Sequence, residues 1–405
     1  MLTLLVLLGG CSGPGSRLEP SGLDVGAAEV NITPPRPMRL AGTFQERIST
    51  GTKDPLKAKA LVFAQGESRA ALVFCDLIGV PVGVSYRARQ RAAQATGIPA
   101  AHIAIAATRG PAGPLYYGAV HKILHERAMT AAGVDPLDFD YAGFLVGRIA
   151  EAVEKAARAR RPARLEASAG QLLARDASGP YASLTVLNRR QEPAGTRFSA
   201  GFAGAIEAAL REGLRPELIS CVGSGPSDDA FAAEDVGDKL AASALAAAPR
   251  LDPAGPAGLA VANERVDLLL QRYPLEQVDH ARQNAGKIGT KELPTADQAR
   301  ICSILHLQEM PAVLPLEVQV FRFSADLALV TLPGDVFAEL GQSIQRSSPF
   351  RRTLVVQLAN DHPGAIPPRD AFAAGRGRVA HARIEAGGGE KLVEAALRLL
   401  GELKP

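Results

Sequence analysis

The sequence predicts an α/β fold, a single domain of mixed β-sheets with flanking helices, built from repeated hairpin-helix-strand units. Three observations support this prediction. The 405 residues are 47% hydrophobic and 21% charged, which is typical of folded globular proteins. Pairs of apolar runs joined by short polar turns alternate with helix-like stretches. The same order of elements recurs along the chain, as in a fold assembled from similar units.

The first unit shows this order most clearly. Its two strands, helix and final strand are predicted at Lys59–Phe63, Ala70–Phe74, Val84–Thr96 and His102–Ala107. The turn sequence Gln65-Gly66-Glu67-Ser68 between the first two strands is typical of a β-hairpin. Gly97 is expected to end the helix.

The last unit repeats the order, and the middle unit is a reduced copy. The last unit has Leu316–Phe323, Leu327–Thr331, Val336–Gln345 and Thr353–Ala359, and the middle one has Ser183–Leu187, Ala203–Glu212 and Glu217–Val222. In the middle unit we expect the second hairpin strand to be missing, with Gln191–Arg197 in its place. Because sites in such sheets collect beyond the carboxyl ends of the strands, the loops after these strands are the candidate functional regions.

The N-terminus predicts an envelope protein. Leu2–Leu8 is too short to span a bilayer but is typical of the hydrophobic region of a secretory signal. Leu8-Gly9-Gly10-Cys11 resembles a bacterial lipobox, in which the cysteine is acylated. Residues 1–20 are therefore interpreted as a lipoprotein-type signal and tether, with Cys11 as the lipidation site and the bacterial cell envelope, lipid-anchored or secreted, as the location. The alternative is an apolar tail on a cytoplasmic protein.

Composition excludes some functions. The 45 basic and 42 acidic residues give a net charge of +3, which does not favour a nucleic-acid partner. Tryptophan is absent and aromatic residues make up 5%, which argues against a stacking surface for sugars or bases. Cys75, Cys221 and Cys302 each lie in apolar segments, as buried free thiols do, and none has the spacing of a zinc site.

A series of short motifs occurs in a specific order along the chain. They are Ala28-Glu29-Val30-Asn31-Ile32-Thr33-Pro34-Pro35, Asp54-Pro55-Leu56-Lys57, Leu332-Pro333-Gly334-Asp335-Val336-Phe337, Ser348-Pro349-Phe350, Leu358-Ala359-Asn360, Asp370-Ala371-Phe372 and Gly388-Gly389-Glu390-Lys391. In this order they resemble the N-terminal domain of the neutral/alkaline non-lysosomal ceramidase family. We expect residues 21–405 to form such a domain, without the family's C-terminal immunoglobulin-like domain.

The resemblance implies a zinc-dependent amidase that hydrolyses ceramide or another N-acyl amide. Such an enzyme needs a zinc ion with an open position to activate water. Where the family has T-H-T-H-S-G-P, this sequence has Thr108-Arg109-Gly110-Pro111-Ala112-Gly113-Pro114, so both histidine positions are lost, to Arg109 and Pro111. The second metal histidine belongs to the middle-unit strand that we expect to be missing.

The remaining family positions are also changed. The family's Glu ligand in P-G-E corresponds to Asp335, its Tyr ligand to Ala365, and an Asp of the middle-unit loop to Pro226. A single Asp does not hold zinc. We therefore predict no metal and no cofactor. The predicted function is a pseudoenzyme that binds a lipid or an N-acyl amide in the former substrate cleft.

Arg109 suggests a substitute for the metal. A guanidinium at that place could form bidentate, charge-assisted hydrogen bonds with Asp335 and Asp76. The alternative is that Arg109 points into solvent.

A rebuilt active site is the competing prediction, and it would make the protein an active hydrolase. His362, Asp335 and Asp76 could form a different metal or acid–base cluster. Ser224 or Ser227 could supply a nucleophilic hydroxyl near His362. The simpler interpretation of His362 is a loop histidine hydrogen-bonded by its neighbours. A third possibility is a purely structural envelope protein that neither binds nor turns over a ligand.

Overall fold

The structure is a computed structural model that describes residues 22–227, 230–231, 233–376 and 378–405. Within these residues the chain forms eighteen strands and ten helices arranged in several sheets. The predicted α/β class, with mixed sheets and flanking helices, is confirmed. The predicted signal, tether and lipidation site at Cys11 lie outside the described residues.

The elements follow one another along the whole described chain. The strands are β1 Asp24–Asn31, β2 Lys57–Gln65, β3 Ser68–Cys75, β4 Ile103–Ala107, β5 Arg161–Pro162, β6 Arg164–Ala167, β7 Gln171–Asp176, β8 Gly179–Leu187, β9 Arg190–Gln191, β10 Ile219–Ser224, β11 Ala230–Phe231, β12 Asp252–Pro253, β13 Ala257–Leu269, β14 Val313–Ser324, β15 Leu327–Thr331, β16 Asp335–Val336, β17 Arg352–Val356 and β18 Ala365–Ile366. The helices are α1 Val82–Thr96, α2 Gly118–Ala132, α3 Tyr141–Arg158, α4 Phe202–Gly213, α5 Ala233–Ala247, α6 Leu275–Asn284, α7 Thr295–Leu307, α8 Ala338–Ser347, α9 Arg369–Ala374 and α10 Gly388–Leu403.

Three sheets form the frame of the molecule. Their strand orders are β4-β3-β2-β1-β5, β10-β8-β7-β6-β12 and β13-β14-β15-β17. In each, an antiparallel hairpin is followed by a helix and then by a strand parallel to the second hairpin strand. The hairpins are β2–β3, β7–β8 and β14–β15, and the returning strands are β4, β10 and β17. In each parallel pair, the carboxyl ends of the two strands therefore lie at the same edge of the sheet.

The expectation of a missing strand in the middle unit is wrong. Ser183–Leu187 belongs to β8, which is the second strand of a hairpin with β7. Gln191 instead pairs with Phe231 in a separate two-stranded sheet. The strand β7, Gln171-Leu172-Leu173-Ala174-Arg175-Asp176, contains no β-branched residue, so its sequence does not look like a strand. The strand β8 is present but contains no histidine.

The predicted helix boundaries hold at some ends and shift at others. Helix α1 ends where Gly97 adopts a left-handed φ of 71° and its N–H bonds the Ala93 carbonyl at 2.9 Å. Helix α8 begins at Ala338 rather than at Val336. The reason is that Asp335 and Val336 pair in parallel with Ala365 and Ile366 as the short sheet β16–β18.

The inner faces of the three sheets share one apolar core. It contains side chains from all three, including Phe63, Phe74, Leu184, Cys221, Phe321 and Leu354. Helices α1 and α3 cover the other face of the first sheet, α4 and α5 that of the second, and α8 and α10 that of the third. The sheet faces are therefore buried on both sides, as the apolar strand sequences require.

The three predicted free cysteines, Cys75, Cys221 and Cys302, are buried and unpaired. Burial raises the pKa of each thiol, to about 12 for Cys302, so these thiols are unreactive. In the part of the chain that the structure describes, no helix combines the length and the apolar composition that crossing a membrane requires.

Candidate functional site

The loops that follow the parallel strands meet at the segment Gln357–Asn360, directly after β17. The backbone N–H groups of Gln357, Leu358 and Asn360 donate to the carbonyl oxygens of Ser224, Gly334 and Ile105 at 2.8, 3.0 and 2.8 Å. Ser224 lies in β10 of the second sheet and Ile105 in β4 of the first, while Gly334 lies in the loop that follows β15 of the third sheet. The segment therefore joins the three sheets at the carboxyl ends of β4, β10 and β15.

Backbone strain is concentrated at this junction. Arg109, Leu358 and Asn360 have φ values of 66°, 57° and 61°, and no other non-glycine residue in the described ranges has a positive φ. A left-handed conformation costs such a residue roughly 1–2 kcal/mol. Residues held in this way cluster at sites where the surrounding structure demands a fixed geometry. The loops here are consequently held in one arrangement.

Asn360 is fixed by a set of buried hydrogen bonds. Its side-chain oxygen accepts the Ile105 N–H at 2.9 Å. Its side-chain nitrogen donates to Gln319 at 2.8 Å and to Glu317 at 3.0 Å. The oxygen and the nitrogen of this side-chain amide both have hydrogen-bond partners, which offsets the cost of burying the amide. The backbone and the side chain of Asn360 both bond β4, and the side chain also bonds β14, so Asn360 connects these two strands.

The predicted ion pair between Arg109 and Asp335 is present. Both terminal nitrogens of Arg109 donate to the two carboxylate oxygens of Asp335 in a bidentate arrangement. The side chains are 12% and 8% exposed, so the alternative of a solvent-facing Arg109 is wrong. Burial lowers the pKa of Arg109 to about 9, and the nearby Tyr117 opposes this shift. Arginine stays protonated under such conditions.

A second arginine that the sequence analysis missed also binds Asp335. Arg378 forms an ion pair with the Oδ2 atom of Asp335 and donates to the Ser227 carbonyl at 2.5 Å. Its guanidinium also lies 5.1 Å from the centre of the Phe337 ring. Both oxygens of Asp335 are therefore engaged by guanidinium groups. The only signal for Arg378 in the sequence is the basic pair Arg376 and Arg378 after α9.

Asp76 does not take part in this arrangement, contrary to the prediction that it would converge on Arg109. Its Oδ2 atom accepts the Lys57 N–H at 2.9 Å and lies 3.8 Å from the Nζ atom of Lys59. The reason is that Asp76 directly follows β3 and its side chain lies on the face of that strand that is turned towards the interior. Burial raises the pKa of Asp76 to about 6, although Lys59 opposes this shift.

Asp76 belongs instead to a buried ionic network, the Lys59 cluster, which consists of Glu29, Lys57, Lys59, Asp76, Glu207 and Arg211. The Nζ atom of Lys59, which is 1% exposed, lies 2.8 Å from Glu207. Glu207 also binds Lys57 and Arg211, each at 2.6 Å, and both of these bind Glu29 at 2.9 Å. Burial opposes ionisation of Glu207, but Lys59 and Lys57 together hold its pKa below the usual value. Three cations thus face three carboxylates.

His362 is held by Tyr117 rather than by a catalytic carboxylate. The Nδ1 atom of His362 lies 2.6 Å from the Tyr117 hydroxyl, and the backbone N–H of His362 donates to Asp361 at 2.7 Å. A Cβ at Gly79 would collide with both rings, so only glycine fits beneath them. Burial, together with the charges of Arg383 and Arg109, lowers the pKa of His362 to about 3. His362 is therefore neutral, in agreement with a loop histidine hydrogen-bonded by its neighbours.

The rebuilt cluster of His362, Asp335 and Asp76 is not formed. The three side chains have separate partners, because Arg109 and Arg378 occupy Asp335 and the backbone of β2 occupies Asp76. Throughout the described residues, no group of three or more His, Cys, Asp or Glu side chains is placed to hold a metal.

The two candidate serines do not complete an acid–base pair either. The Ser224 hydroxyl accepts a hydrogen bond from the Gln357 side chain at 3.0 Å. Ser227 bonds the Val336 carbonyl through its backbone N–H at 3.2 Å, and its hydroxyl has no hydrogen-bond partner among the described residues. Neither hydroxyl is hydrogen-bonded to His362, so His362 activates neither of these two serines as a nucleophile.

Three of the positions that the resemblance assigns to the metal pocket, Arg109, Asp335 and Ala365, come together, but their side chains do not together fit zinc. Asp335 and Ala365 are directly paired in β16–β18, and Arg109 binds Asp335. Pro111 packs against Gly42, and Pro226 packs against Gly341. Arginine, alanine and proline side chains cannot ligate a metal. The cavity beside Arg109 has a volume of about 10 Å³, which is room for one water molecule.

Arg383 and Tyr117 also lie at this site and were not among the sequence-based candidates. The missing Cβ of Gly364 would lie 3.8 Å from the Cγ atom of Arg383, and the carbonyl of Gly364 binds the Asp335 N–H at 2.9 Å. Gly364 thus separates Arg383 from Asp335. Burial lowers the pKa of Arg383, and the nearby Tyr117 and Asp361 oppose this. No motif marks either residue in the sequence.

The fold was compared with known proteins. No family model matches the sequence, and a search of curated proteins finds no match. Among solved structures, the neutral ceramidase from Pseudomonas aeruginosa superposes with a TM-score of 0.70 at 15% identity, covering 95% of this chain and 75% of that one. A ceramidase complexed with C2 gives a TM-score of 0.69 at 13% identity, with 94% and 75% coverage. The chain therefore has a neutral ceramidase-like fold.

Proposed function

We propose that this protein is a pseudoenzyme: a ceramidase-like protein that no longer performs zinc-dependent amide hydrolysis. One observation carries the proposal. Asp335, which stands at the family's Glu ligand position, is bound by both Arg109 and Arg378. Two guanidiniums repel a divalent cation and occupy the lone pairs that would bind it. They also hold together the loops that a metal ion would otherwise join.

The function we propose in place of hydrolysis is ligand binding, with a lipid or an N-acyl amide as the ligand. The support is the ceramidase-like fold, since two solved ceramidases superpose on nearly the whole chain. Ligand sites in α/β folds lie beyond the carboxyl ends of the strands, and the loops around Asp335 occupy that place.

Metal content tests the loss of the zinc site. The full chain is purified without chelator or affinity metal, offered zinc, desalted and analysed by elemental mass spectrometry. We expect no bound zinc, whereas a known zinc enzyme treated in parallel should keep its ion. About one zinc per chain, lost in Asp335→Asn, would contradict the proposal. Hydrolysis of an N-acyl amide that depends on Asp335 would do the same.

We further propose that the protein is a lipoprotein of the bacterial cell envelope, anchored through Cys11. The support is the sequence Leu8-Gly9-Gly10-Cys11 after a short apolar run. In the cells that make it, Cys11→Ser should move the protein from the membrane fraction to the soluble fraction. An unchanged distribution would argue against the anchor without affecting the proposal on the zinc site.

A further inference from the structure

One arginine at the junction of the loops stands apart from its neighbours. We call the group Arg109, Asp335, Asp361, Arg378 and Arg383, with the Tyr117–His362 pair between them, the loop cluster. His362 adds no charge to this group because it is neutral. Burying a cation is costly unless an anion accompanies it.

Arg383 differs from the other two arginines of the loop cluster in its contacts. Arg109 and Arg378 share Asp335. Asp361 uses its Oδ1 atom to accept the backbone N–H groups of Val82 and His362, at 3.1 and 2.7 Å. The guanidinium of Arg383 forms no ion pair and no hydrogen bond with any residue in the described ranges, and its Nε atom is inaccessible to solvent.

An unpaired guanidinium inside a protein is an incomplete interaction. Arginine carries five N–H donors in a planar fork that matches a carboxylate or a phosphate. A buried donor without an acceptor costs free energy, and the cost is greater when the group is charged. The protein around Arg383 supplies no acceptor, so a ligand that provides one would be favoured.

A further donor lies beside Arg383. This donor is the imidazole of His362, whose Nδ1 atom lies 2.6 Å from the Tyr117 hydroxyl, and burial holds the pKa of Tyr117 well above its usual value, so that hydroxyl keeps its proton. In the tautomer in which Tyr117 donates to Nδ1, the proton of the neutral imidazole is on Nε2, which is then able to donate to a ligand. The charge of Arg109 also acts on this imidazole, but both terminal nitrogens of Arg109 are already used by Asp335.

We propose that Arg383 and His362 form the binding site for the oxyanion head group of the ligand, a carboxylate or a phosphate. This inference rests on the proposed binding function and narrows its ligand from a lipid or an N-acyl amide to one that carries an acidic head group. In this proposal Arg383 makes the charged contact with the oxyanion, and the Nε2 atom of the neutral His362 donates a hydrogen bond to it. Asp335 keeps Arg109 and Arg378 away from the ligand.

The test uses the full chain with Cys11→Ser, titrated by calorimetry with inorganic phosphate and with laurate below its micellar concentration. Chloride at equal ionic strength is the reference. We expect wild type to bind at least one of the two oxyanions, and Arg383→Gln to weaken that binding about tenfold to a hundredfold. Arg398→Gln is the matched control, because Arg398 pairs with Glu264 at 2.5 Å on the surface, and it should bind as wild type does.

Several results would overturn the inference. One is the absence of binding of either oxyanion by wild type, and another is equal binding by Arg383→Gln. If Arg383→Gln does not fold, Arg383→Lys provides the test, because it keeps the charge but loses the planar fork, and unweakened binding would count against the site. Thermal unfolding in chloride adds a second readout, since removing an unpaired cation should not lower the melting temperature.

The two probes distinguish the source of the head group. Tighter binding of laurate indicates a fatty carboxylate, and tighter binding of phosphate indicates a phosphorylated or free phosphate ligand. Binding of the neutral N-lauroylethanolamine, unaffected by Arg383→Gln, would overturn the acidic head group but leave the proposed binding function intact. Bound zinc or amide turnover would contradict the proposed function independently of these titrations.

Discussion

Two buried ionic clusters of this molecule differ in how their cations are paired. In the Lys59 cluster, three cations face three carboxylates, and Glu207 alone contacts Lys57, Lys59 and Arg211. In the loop cluster, Arg109 and Arg378 bind Asp335, whereas Arg383 has no ionic partner in the described chain. A cluster whose cations are all paired compensates for its own burial, whereas an unpaired buried cation calls for a further anion. The comparison therefore separates a structural cluster from a candidate binding site.

The largest expected effect is on the Lys59 cluster. Glu207→Gln should lower the free energy of unfolding by about 3–5 kcal/mol, because it leaves buried cations without their shared carboxylate. Urea denaturation measures this loss. Glu207→Gln combined with Lys59→Met should recover part of it, and the absence of recovery would show that the two side chains are not coupled.

The next effect concerns the loop cluster. Arg109→Ala should lower the free energy of unfolding by about 2 kcal/mol, because it removes a bidentate, charge-assisted pair but leaves Asp335 bound to Arg378. The same urea titration applies. Unchanged stability would contradict the idea that Arg109 holds the loops together.

A pH-dependent difference between the clusters comes from Asp76. Burial raises its pKa to about 6 in the folded state, above the value of about 4 in the unfolded chain. Between these values the folded state binds a proton that the unfolded state does not, so stability falls as pH rises from 4 to 6, by at most about 1.4 kcal/mol per unit. Asp76→Asn should flatten this slope.

The control for the pH experiment is Asp326. Burial raises the pKa of Asp326, but hydrogen bonds from Ser324, the Gly255 N–H and Arg352 outweigh the effect of burial and hold this pKa at about 2. Its contribution to stability is present above pH 4 and is lost as pH falls towards 2. Asp326→Asn should therefore leave the slope between pH 4 and 6 as it is in wild type. A flattened slope in both variants would mean that Asp76 is not its source.

The smallest effect is expected from a surface pair. Arg158 and Glu154 form an ion pair one turn apart on α3, with side chains 75% and 36% exposed. Solvent and salt screen such pairs. Glu154→Gln should change stability by less than the error of a urea titration, which provides the baseline for both clusters.

The sequence predicted those parts of the structure that depend on local patterns. The hairpin around Gln65-Gly66-Glu67-Ser68, the end of α1 at Gly97 and the α/β class all follow from turn residues, alternation and helix spacing. The Arg109–Asp335 pair could be predicted only through the resemblance, because 226 residues separate the two side chains. Residue type and spacing alone do not bring such positions together.

What the sequence did not reveal is set by tertiary contacts. Lys59 lies in a strand, where a lysine suggests a solvent-facing position, yet it is buried against Glu207 on α4. The sequence does not show the true partners of Asp76, because the direction of its side chain depends on the pleat of β3. Arg378 and Arg383 carry no motif, and their roles appear only when the loops after α9 are packed against Asp335 and His362.

The segment that joins the three sheets also affects how the chain can fold. Strand β4 is the edge of the first sheet, and Ala106 pairs there with Ala359, while Asn360 bonds Ile105 from 255 residues further along the chain. Contacts over such distances form late and slow folding. During synthesis, the first sheet must wait with its β4 edge open until the segment after β17 has been made. An open edge is a template for pairing with other chains, so the nascent protein is most prone to aggregation during that interval.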